Sequence, residues 1–221
     1  GEQVFLHDHA TLLRSLRRGD FFLCASEAQR FFYLGMLISL GRLSPVTYRD
    51  DQNAERLLAI APFGVPPPRV VPPRKLDEPA LLFGGIYDWY EPVVAIDAVA
   101  IARTKIPGLT ISFNRHPNAA LTPQSKSAEA ERHVAAMGYA SFASFEGWTP
   151  YDERAAFFDR FAASILTFPR TLETDLAMRT RILDYLWAGL PVISSPGRGT
   201  DEILTRFKAG TVVTSNDAAS F

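Results

Sequence analysis

From residue 80 to its end, this sequence alternates short apolar runs with longer segments in which apolar residues recur at helical spacing. Parallel strands need a long crossover between them, which is usually a helix, so such alternation is typical of a parallel sheet covered by helices. We therefore predict an α/β fold with a doubly wound, Rossmann-like parallel sheet of six strands in this part of the chain.

The predicted elements follow one another along the sequence. The predicted strands are Ala80–Phe83, Leu109–Phe113, Ser141–Phe145, Ile165–Phe168, Pro191–Ser195 and Thr211–Thr214. The predicted helices are Pro92–Lys105, Ser125–Met137, Pro150–Ala163 (with Thr149 as its N-cap), Leu176–Ala188 and Thr200–Phe207.

A proline-rich stretch separates this region from the N-terminal part. Six of the twelve residues from Pro62 to Pro73 are proline, which excludes a helix or a central strand because proline lacks the amide donor. We predict that residues 1–61 belong to one domain, that residues 62–78 form a semi-rigid interdomain linker, and that residues 79–221 form the domain of the sheet.

The N-terminal part holds too few predicted strands for a domain of its own. We therefore expect residues 1–61 to be a remnant of a larger N-terminal domain, and we expect the C-terminal domain to be truncated, because a further helix should follow Asp217. The predicted elements of the N-terminal part are a strand at Val4–Leu6, a helix at Thr11–Arg18, a strand at Phe21–Ala25, a helix from the N-cap Ser26 to Leu40, and a strand at Leu57–Ala61.

Composition argues against several classes of function. The 221 residues carry a net charge of −1, so no overall basic field indicates a nucleic-acid partner. No apolar run reaches the roughly 18 residues of a membrane span, and no signal peptide is visible. The single cysteine, Cys24, lies in an apolar run and is predicted to be buried and inert. We expect a cytoplasmic protein, either free or peripheral to the membrane.

Several motifs of cofactor and metal sites are absent from the sequence. It contains no phosphate loop of the GxxxxGK[ST] type, no GxGxxG after a strand and no GxSxG nucleophile elbow. No Asp-x-Asp pair is present, so we expect no metal ion and no resident cofactor. His7 and His9 would share one face of a strand, but no further ligand for a metal is nearby in the sequence.

A charged segment precedes the last predicted long helix. Glu173, Asp175, Arg179 and Arg181 lie within nine residues of one another, at the predicted carboxyl edge of the sheet, where α/β domains bind ligands. Carboxylates suit the hydroxyl groups of sugars and ribose, and guanidinium groups suit phosphate oxygens. This combination predicts a site for a phosphorylated sugar compound.

The ends of the other strands supply further candidates at the same edge. Gly84 and Gly85 allow a close approach of backbone to phosphate, although a plain tight turn explains them equally well. His116 could bind a phosphate or a hydroxyl group, or be an ordinary surface histidine. At Gly147, backbone groups could meet a nucleobase, and the neighbouring Trp148 is either part of that contact or a packing residue.

Three segments resemble those of GT-B-fold glycosyltransferases of the large retaining "glycosyltransferase group 1" type, family 4. Pro62-Phe63-Gly64-Val65-Pro66 resembles the segment where such enzymes leave their N-terminal domain. Phe83-Gly84-Gly85 resembles the first loop of their donor domain. The stretch from Leu183 to Val192, LDYLWAGLPV, resembles their helix and strand of the form EAMAxGxPV.

The resemblance implies a transferase that moves a sugar from a nucleotide-sugar donor to an acceptor hydroxyl, without a metal and with retention of configuration. Asp184 takes the place of the acid that binds the ribose. In the family, the acid that contacts the donor sugar stands eight residues before the acid that binds the ribose. This chain has Leu176 at that position, so we assign the contact with the donor sugar to the nearby Glu173, with Asp175 as the alternative. Arg179 and Arg181 are the candidates for binding the diphosphate, and Arg198 is a further candidate.

The acceptor implied by the resemblance is a glycan, a lipid-linked sugar or a small molecule. The resemblance thus implies glycan biosynthesis, with Gly84, Gly85, His116, Gly147 and Asp184 binding the donor. Two other functions remain open from the sequence: a catalytically inactive Rossmann-like domain that binds a nucleotide or acts as a scaffold, and a GT-B sugar-nucleotide epimerase.

Overall fold

The computed structural model describes residues 1–73, 79–116, 118 and 123–221. Within them the chain divides into two units, Gly1–Gly64 and Val65–Phe221. The division falls inside the proline-rich stretch, and residues 74–78 of the predicted linker lie outside the described residues. That the first unit is a remnant of a larger N-terminal domain, which in the resembling enzymes is the acceptor-side domain, and that the sequence after it is a linker, stay predictions.

The first unit packs helices against a pair of parallel strands. Its small core consists of Leu16, Cys24, Leu37 and Leu58, so the prediction of a buried Cys24 is confirmed. The elements are α1 (Glu2–Arg18), β1 (Phe22–Cys24), α2 (Glu27–Ser39), α3 (Pro45–Asp50) and β2 (Leu58–Ile60), and β1 pairs with β2.

The N-cap of α2 is confirmed, since the Ser26 hydroxyl accepts a hydrogen bond from the Gln29 amide at 3.3 Å. The predicted strand at Val4–Leu6 is wrong, because these residues form the beginning of α1. Three apolar residues are too few to distinguish a strand from a helix by periodicity. His7 and His9 therefore lie on a helix, and no cluster of three metal-ligating side chains occurs among the described residues.

The second unit carries the predicted parallel sheet. In the part of the chain that the structure describes, its six strands are β3 (Ala80–Gly85), β4 (Thr110–Asn114), β5 (Ala143–Glu146), β6 (Ala163–Leu166), β7 (Val192–Ser194) and β8 (Gly210–Val212). The helices are α4 (Pro92–Ala102), α5 (Ser125–Met137), α6 (Arg154–Phe158), α7 (Leu172–Leu176), α8 (Arg181–Trp187) and α9 (Arg198–Arg206).

The strand order β5-β4-β3-β6-β7-β8 confirms the α/β, Rossmann-like fold class. All pairings in this sheet are parallel. Because the chain runs outward from β3 to one side and then returns to β6 on the other, the strand order reverses between β3 and β6. Ligands of open α/β sheets bind beyond the carboxyl ends of the strands at such a reversal.

Two predicted helices are broken in the structure. Residues 150–163 form a short 3₁₀ helix, Tyr151–Glu153, followed by α6, and the 3₁₀ helix has no side-chain cap, so the prediction of Thr149 as an N-cap is wrong. The helix stops early because the chain must join the sheet: the Ala162 amide already donates to the Ala80 carbonyl at 2.8 Å.

The predicted helix Leu176–Ala188 begins at Arg181 instead, and α7 precedes it. Ala177, between the two, has an extended conformation with ψ of 135°. The interruption lets Arg179 turn inward, and the contacts of this arginine belong to the site described below. Among the described residues, no helix combines the length and the apolar character needed to cross a membrane.

Candidate functional site

A cavity of about 220 Å³ opens at the carboxyl edge of the sheet. The ends of β3 and β4, the loop after β5, and helices α6 and α8 form its walls. Four residues proposed from the sequence meet there, namely Gly84, Gly85, Arg181 and Asp184. The complete lining is Leu82, Gly84, Gly85, Asn114, Trp148, Thr149, Tyr151, Arg154, Phe157, Phe158, Arg181, Asp184 and Tyr185.

Gly84 is required by the backbone at the end of β3. Its φ of +81° lies in the left-handed region, and the register with β4 shifts between Leu82 and Gly84. A Cβ at this position would lie 2.8 Å from the Tyr185 hydroxyl. At Gly85 the nearest atom to a Cβ would be the Arg181 Nη2 at 3.6 Å, an ordinary contact, so only the first glycine is enforced by the fold.

Arg181 holds a positive charge directly beside this glycine turn. Its Nη1 donates a hydrogen bond to the Phe83 carbonyl at 3.1 Å, and its guanidinium lies over the rings of Tyr90 and Tyr87, 4.8 and 5.6 Å from their centroids. Aromatic faces stabilise a cation in this position. The side chain is therefore fixed before any ligand arrives, as electrostatic stabilisation of an anion requires.

Asp184 lies one turn further along α8 and faces the same cavity. Its side chain is 47% exposed. Burial raises the pKa of its carboxyl above the ordinary value, and the positive charges of Arg154 and Arg181 oppose this increase. A half-exposed carboxylate in this position can accept hydrogen bonds from the hydroxyl groups of a ligand.

Arg154, at the start of α6, also lines the cavity, although it was not predicted from the sequence. Its Nη1 and Nη2 donate to the carbonyl and the hydroxyl of Tyr151, at 2.9 and 2.8 Å. Its Nε lies 4.0 Å from Asp184 Oδ1. The available signal was its place at a helix start after the third predicted strand, which is the same edge of the sheet as the other candidates.

The loop after β5 contributes an exposed aromatic side chain to the cavity. Trp148 is 50% exposed and lines the wall, so it is not a buried packing residue. The Asn114 Nδ2 donates to the Gly147 carbonyl at 3.0 Å and fixes this loop. Gly147 itself is exposed and lies outside the lining.

His116 lies beside the cavity rather than in its wall. Its Nδ1 lies within hydrogen-bond distance of both the carbonyl oxygen and the amide nitrogen of Asn118, at 2.9 and 3.1 Å, and its ring packs in a T-shaped arrangement against Tyr87 and Trp148. The ring is thus oriented by Asn118 and by aromatic packing.

Arg179 points away from the cavity and is buried. Its Nη1 donates to the Ser194 hydroxyl at 2.9 Å and to the Ser195 carbonyl at 2.5 Å, and its Nη2 donates to the Pro196 carbonyl at 2.6 Å. Burial lowers its pKa to about 10, opposed by the negative charges of Asp201 and Asp175 among others. Its guanidinium therefore holds the loop between β7 and α9 instead of facing the same cavity as Arg181.

Glu173 and Asp175 both lie on α7, outside the cavity lining. Thr171 and Thr174 form a capping box at the start of this helix. Glu173 is exposed, whereas Asp175 is partly buried. The negative charge of Asp175 acts to raise the pKa of both Arg179 and Asp201. The structure thus does not bring Glu173 together with Arg181 and Asp184 in one cavity.

Solved structures similar to this chain share its fold. TarM superposes with a TM-score of 0.67 at 10% sequence identity, over 94% of this chain and 36% of the other. WaaG, a glycosyltransferase involved in lipopolysaccharide biosynthesis, gives 0.59 at 16% identity, over 86% and 48%. HepE from Anabaena, in complex with UDP and glucose, gives 0.58 at 13% identity, over 95% and 55%.

This chain has the GT-B glycosyltransferase fold. It spans between 36 and 55% of the length of those three chains. No protein-family model matches the sequence, and no curated protein matches it either. Likeness at 10 to 16% identity establishes the GT-B fold and leaves activity and donor to be argued from the site.

The glycine turn yields a stability prediction. Gly84→Ala should lower the free energy of unfolding by about 1–3 kcal/mol, because a left-handed conformation costs an L residue roughly 1–2 kcal/mol and the new Cβ presses on Tyr185. Gly85→Ala is the matched control and should change it by less than about 0.5 kcal/mol. Urea unfolding of both variants measures the difference, and equal effects would contradict the assignment.

Arg179 yields a second prediction. Arg179→Met should lower the free energy of unfolding by at least about 2 kcal/mol, because it removes the donor of the Pro196 carbonyl and one of the two donors of the Ser195 carbonyl. Arg198, an exposed arginine in the first turn of α9, provides the control, and Arg198→Met should be nearly neutral. An Arg179→Met protein of unchanged stability would show that this arginine does not hold the loop.

Proposed function

We propose that this chain carries the donor-binding part of a glycosyltransferase that moves a sugar from a nucleotide-sugar donor to an acceptor hydroxyl. The observation that carries the proposal is the meeting of Arg181, Asp184 and the Gly84–Gly85 turn around one cavity at the carboxyl edge of a GT-B fold. A cation for phosphate, a carboxylate for hydroxyl groups and an accessible glycine backbone are together suited to a nucleotide diphosphate.

Arg181 is the residue to which we assign the diphosphate. In glycosyl transfer the bond between the sugar C1 and the β-phosphate oxygen breaks, and the electron pair leaves with the nucleotide diphosphate. The acceptor oxygen forms the new bond to C1 and loses its proton. Because negative charge grows on the departing oxygen, a fixed guanidinium stabilises the transition state more than the ground state. Arg181 can do this without a metal ion.

Asp184 is assigned to the ribose hydroxyl groups, and the loop after β5 to the nucleobase. Trp148 offers an exposed ring face on which a base can stack, and the exposed backbone of Gly147 offers hydrogen-bonding groups. His116, beside Trp148, is assigned to the outer side of the same donor site.

Glu173 is proposed to contact the donor sugar, with Asp175 as its rival on the same short helix. Arg179 is proposed to act on transfer indirectly, because it holds the Ser195–Pro196 segment that leads into α9. Retention of configuration follows the family likeness. A glycan, a lipid-linked sugar or a small molecule remains the proposed acceptor, and a cytoplasmic place, free or at the membrane surface, remains the proposed location.

Nucleotide binding is the first test. Calorimetric titration of this chain with UDP, GDP, dTDP, ADP and CMP sugars should give saturable binding of at least one donor. Arg181→Met should weaken binding and, in the full-length enzyme, lower the transfer rate about a hundredfold, equivalent to roughly 3 kcal/mol. Arg206→Met, at an exposed position at the end of α9, is the control and should leave both unchanged. Absence of binding to every donor would refute the proposal.

Asp184→Asn should weaken binding of the nucleoside diphosphate about tenfold or more, because a charged acceptor of a hydroxyl group is lost. It should lower transfer mainly through the donor KM, since a ribose contact acts in ground and transition states alike. A donor that is epimerised without transfer to an acceptor would favour the epimerase instead, and nucleotide binding without any turnover of the full-length protein would favour an inactive domain.

Metal dependence provides another check. Donor affinity should be the same within about twofold in EDTA, Mg²⁺ and Mn²⁺, because the positive charge at the diphosphate comes from Arg181. Affinity that requires a divalent ion would contradict this part of the proposal.

A further inference from the structure

The charge state of Asp184 depends on its surroundings. Its carboxylate lies at the wall of a cavity in which burial raises its pKa. A protonated acid would lose its capacity to accept two strong hydrogen bonds from a diol. Neighbouring positive charges oppose this increase and so extend to lower pH the range in which the carboxylate can accept such hydrogen bonds.

Arg154 is held in place by Tyr151 and Trp187. Two hydrogen bonds tie its terminal nitrogens to Tyr151, and its Cζ lies 3.5 Å from the Tyr151 ring centroid and 4.6 Å from that of Trp187. Its side chain is 14% exposed. The guanidinium thus lies over two aromatic rings, and these contacts together with the hydrogen bonds restrict its movement.

The remaining donor of Arg154 has no acceptor. Its Nε is buried without a hydrogen-bond partner among the described residues, and Asp184 Oδ1 is 4.0 Å away, beyond hydrogen-bond distance. A buried, unpaired donor of this kind calls for an explanation. At 4.0 Å the positive charge of Arg154 favours the ionised form of Asp184 without occupying the acceptor sites of the carboxylate.

We propose that Arg154 is a positioning residue for nucleotide binding, held by Tyr151 and Trp187 at a distance from Asp184 that keeps this carboxylate ionised and free to accept the hydroxyl groups of the ribose. The inference rests on the proposed function of the same cavity and adds a residue that neither the sequence pattern nor the family likeness assigns. Arg154 is proposed to act on nucleotide binding through its effect on Asp184.

Two further groups face Asp184. Arg181, on the same helix, also lowers the pKa of the carboxyl, and the Tyr185 phenol is close enough to interact with it. Arg181 is already hydrogen-bonded to Phe83, so it cannot turn to replace Arg154. Loss of the Arg154 charge should raise the pKa of Asp184 further. The carboxylate would then be protonated at a higher pH, and nucleotide binding should fail at a pH at which the wild type still binds.

The direct test is a titration of the Asp184 carboxyl ¹³C resonance in the whole chain, without ligand. Arg154→Gln should raise the pKa of Asp184 by about 1, within the range expected for loss of a neighbouring opposite charge. Arg154→Lys, which retains the charge, should raise it less. The control is Arg160→Gln, an arginine just after α6 that pairs with Glu146 and should leave Asp184 unchanged. An unchanged pKa in a folded Arg154→Gln protein would overturn the inference, whatever the nucleotide results.

The second readout is nucleotide affinity against pH. Affinity is compared at pH 8 and at a pH below the pKa of Asp184 in both the wild type and the variant. Over this interval Arg154→Gln should lose about tenfold more affinity than the wild type, which is the factor that corresponds to a pKa change of 1. A uniform loss at every pH would indicate a merely structural role and would overturn the inference.

Wild-type protein that binds no nucleotide refutes the proposed function, while the resonance titration still decides the role of Arg154. Circular dichroism confirms the fold of each variant, and Arg154→Met replaces Arg154→Gln if the latter does not fold.

Discussion

The carbonyl of Phe83 is the point on which the site depends. It accepts hydrogen bonds from both Arg181 and Tyr185, at 3.1 and 3.2 Å, and thereby ties α8 to the end of β3. The approach is possible because Gly84 has no Cβ and adopts a positive φ. These hydrogen bonds place one turn of α8, with both Arg181 and Asp184, at the cavity. A side chain at Gly84 would push α8 and β3 apart and would displace these two residues from the cavity.

Three arginines near this edge have different tasks because they meet different acceptors. Arg179 donates its hydrogen bonds to carbonyl groups of the β7–α9 loop and stabilises that loop. Arg181 is stacked on tyrosines and keeps part of its guanidinium toward the cavity. Arg154 is locked by Tyr151 beside Asp184. The spacing of these arginines in the sequence does not predict their different roles, since a guanidinium has the same chemistry in each place and only its neighbours differ.

The sequence predicted the sheet well, and the site in part. Helix Ser125–Met137 was predicted with its observed bounds, and Gly138 directly after it is its C-cap in the left-handed conformation. Gly84, Gly85, Arg181 and Asp184 were found from strand ends and from the likeness to GT-B enzymes. Arg154 was missed, since an arginine at a helix start suggests nothing in isolation. The break at Ala177 was missed as well, because the hydrogen bonds that stabilise it come from a loop almost twenty residues further along the chain.

The sequence by itself determined the alternation of strands and helices, and with it the edge of the sheet at which the charged residues gather. Local periodicity, turn residues and the rule for parallel strands suffice for this. The tertiary structure decided which charges face the cavity. Glu173 and Arg181 are eight residues apart, yet one is exposed on α7 and the other lies in the cavity wall. Burial and hydrogen bonding depend on groups that are distant in sequence, and these alone decide whether a charge binds a ligand or holds a loop.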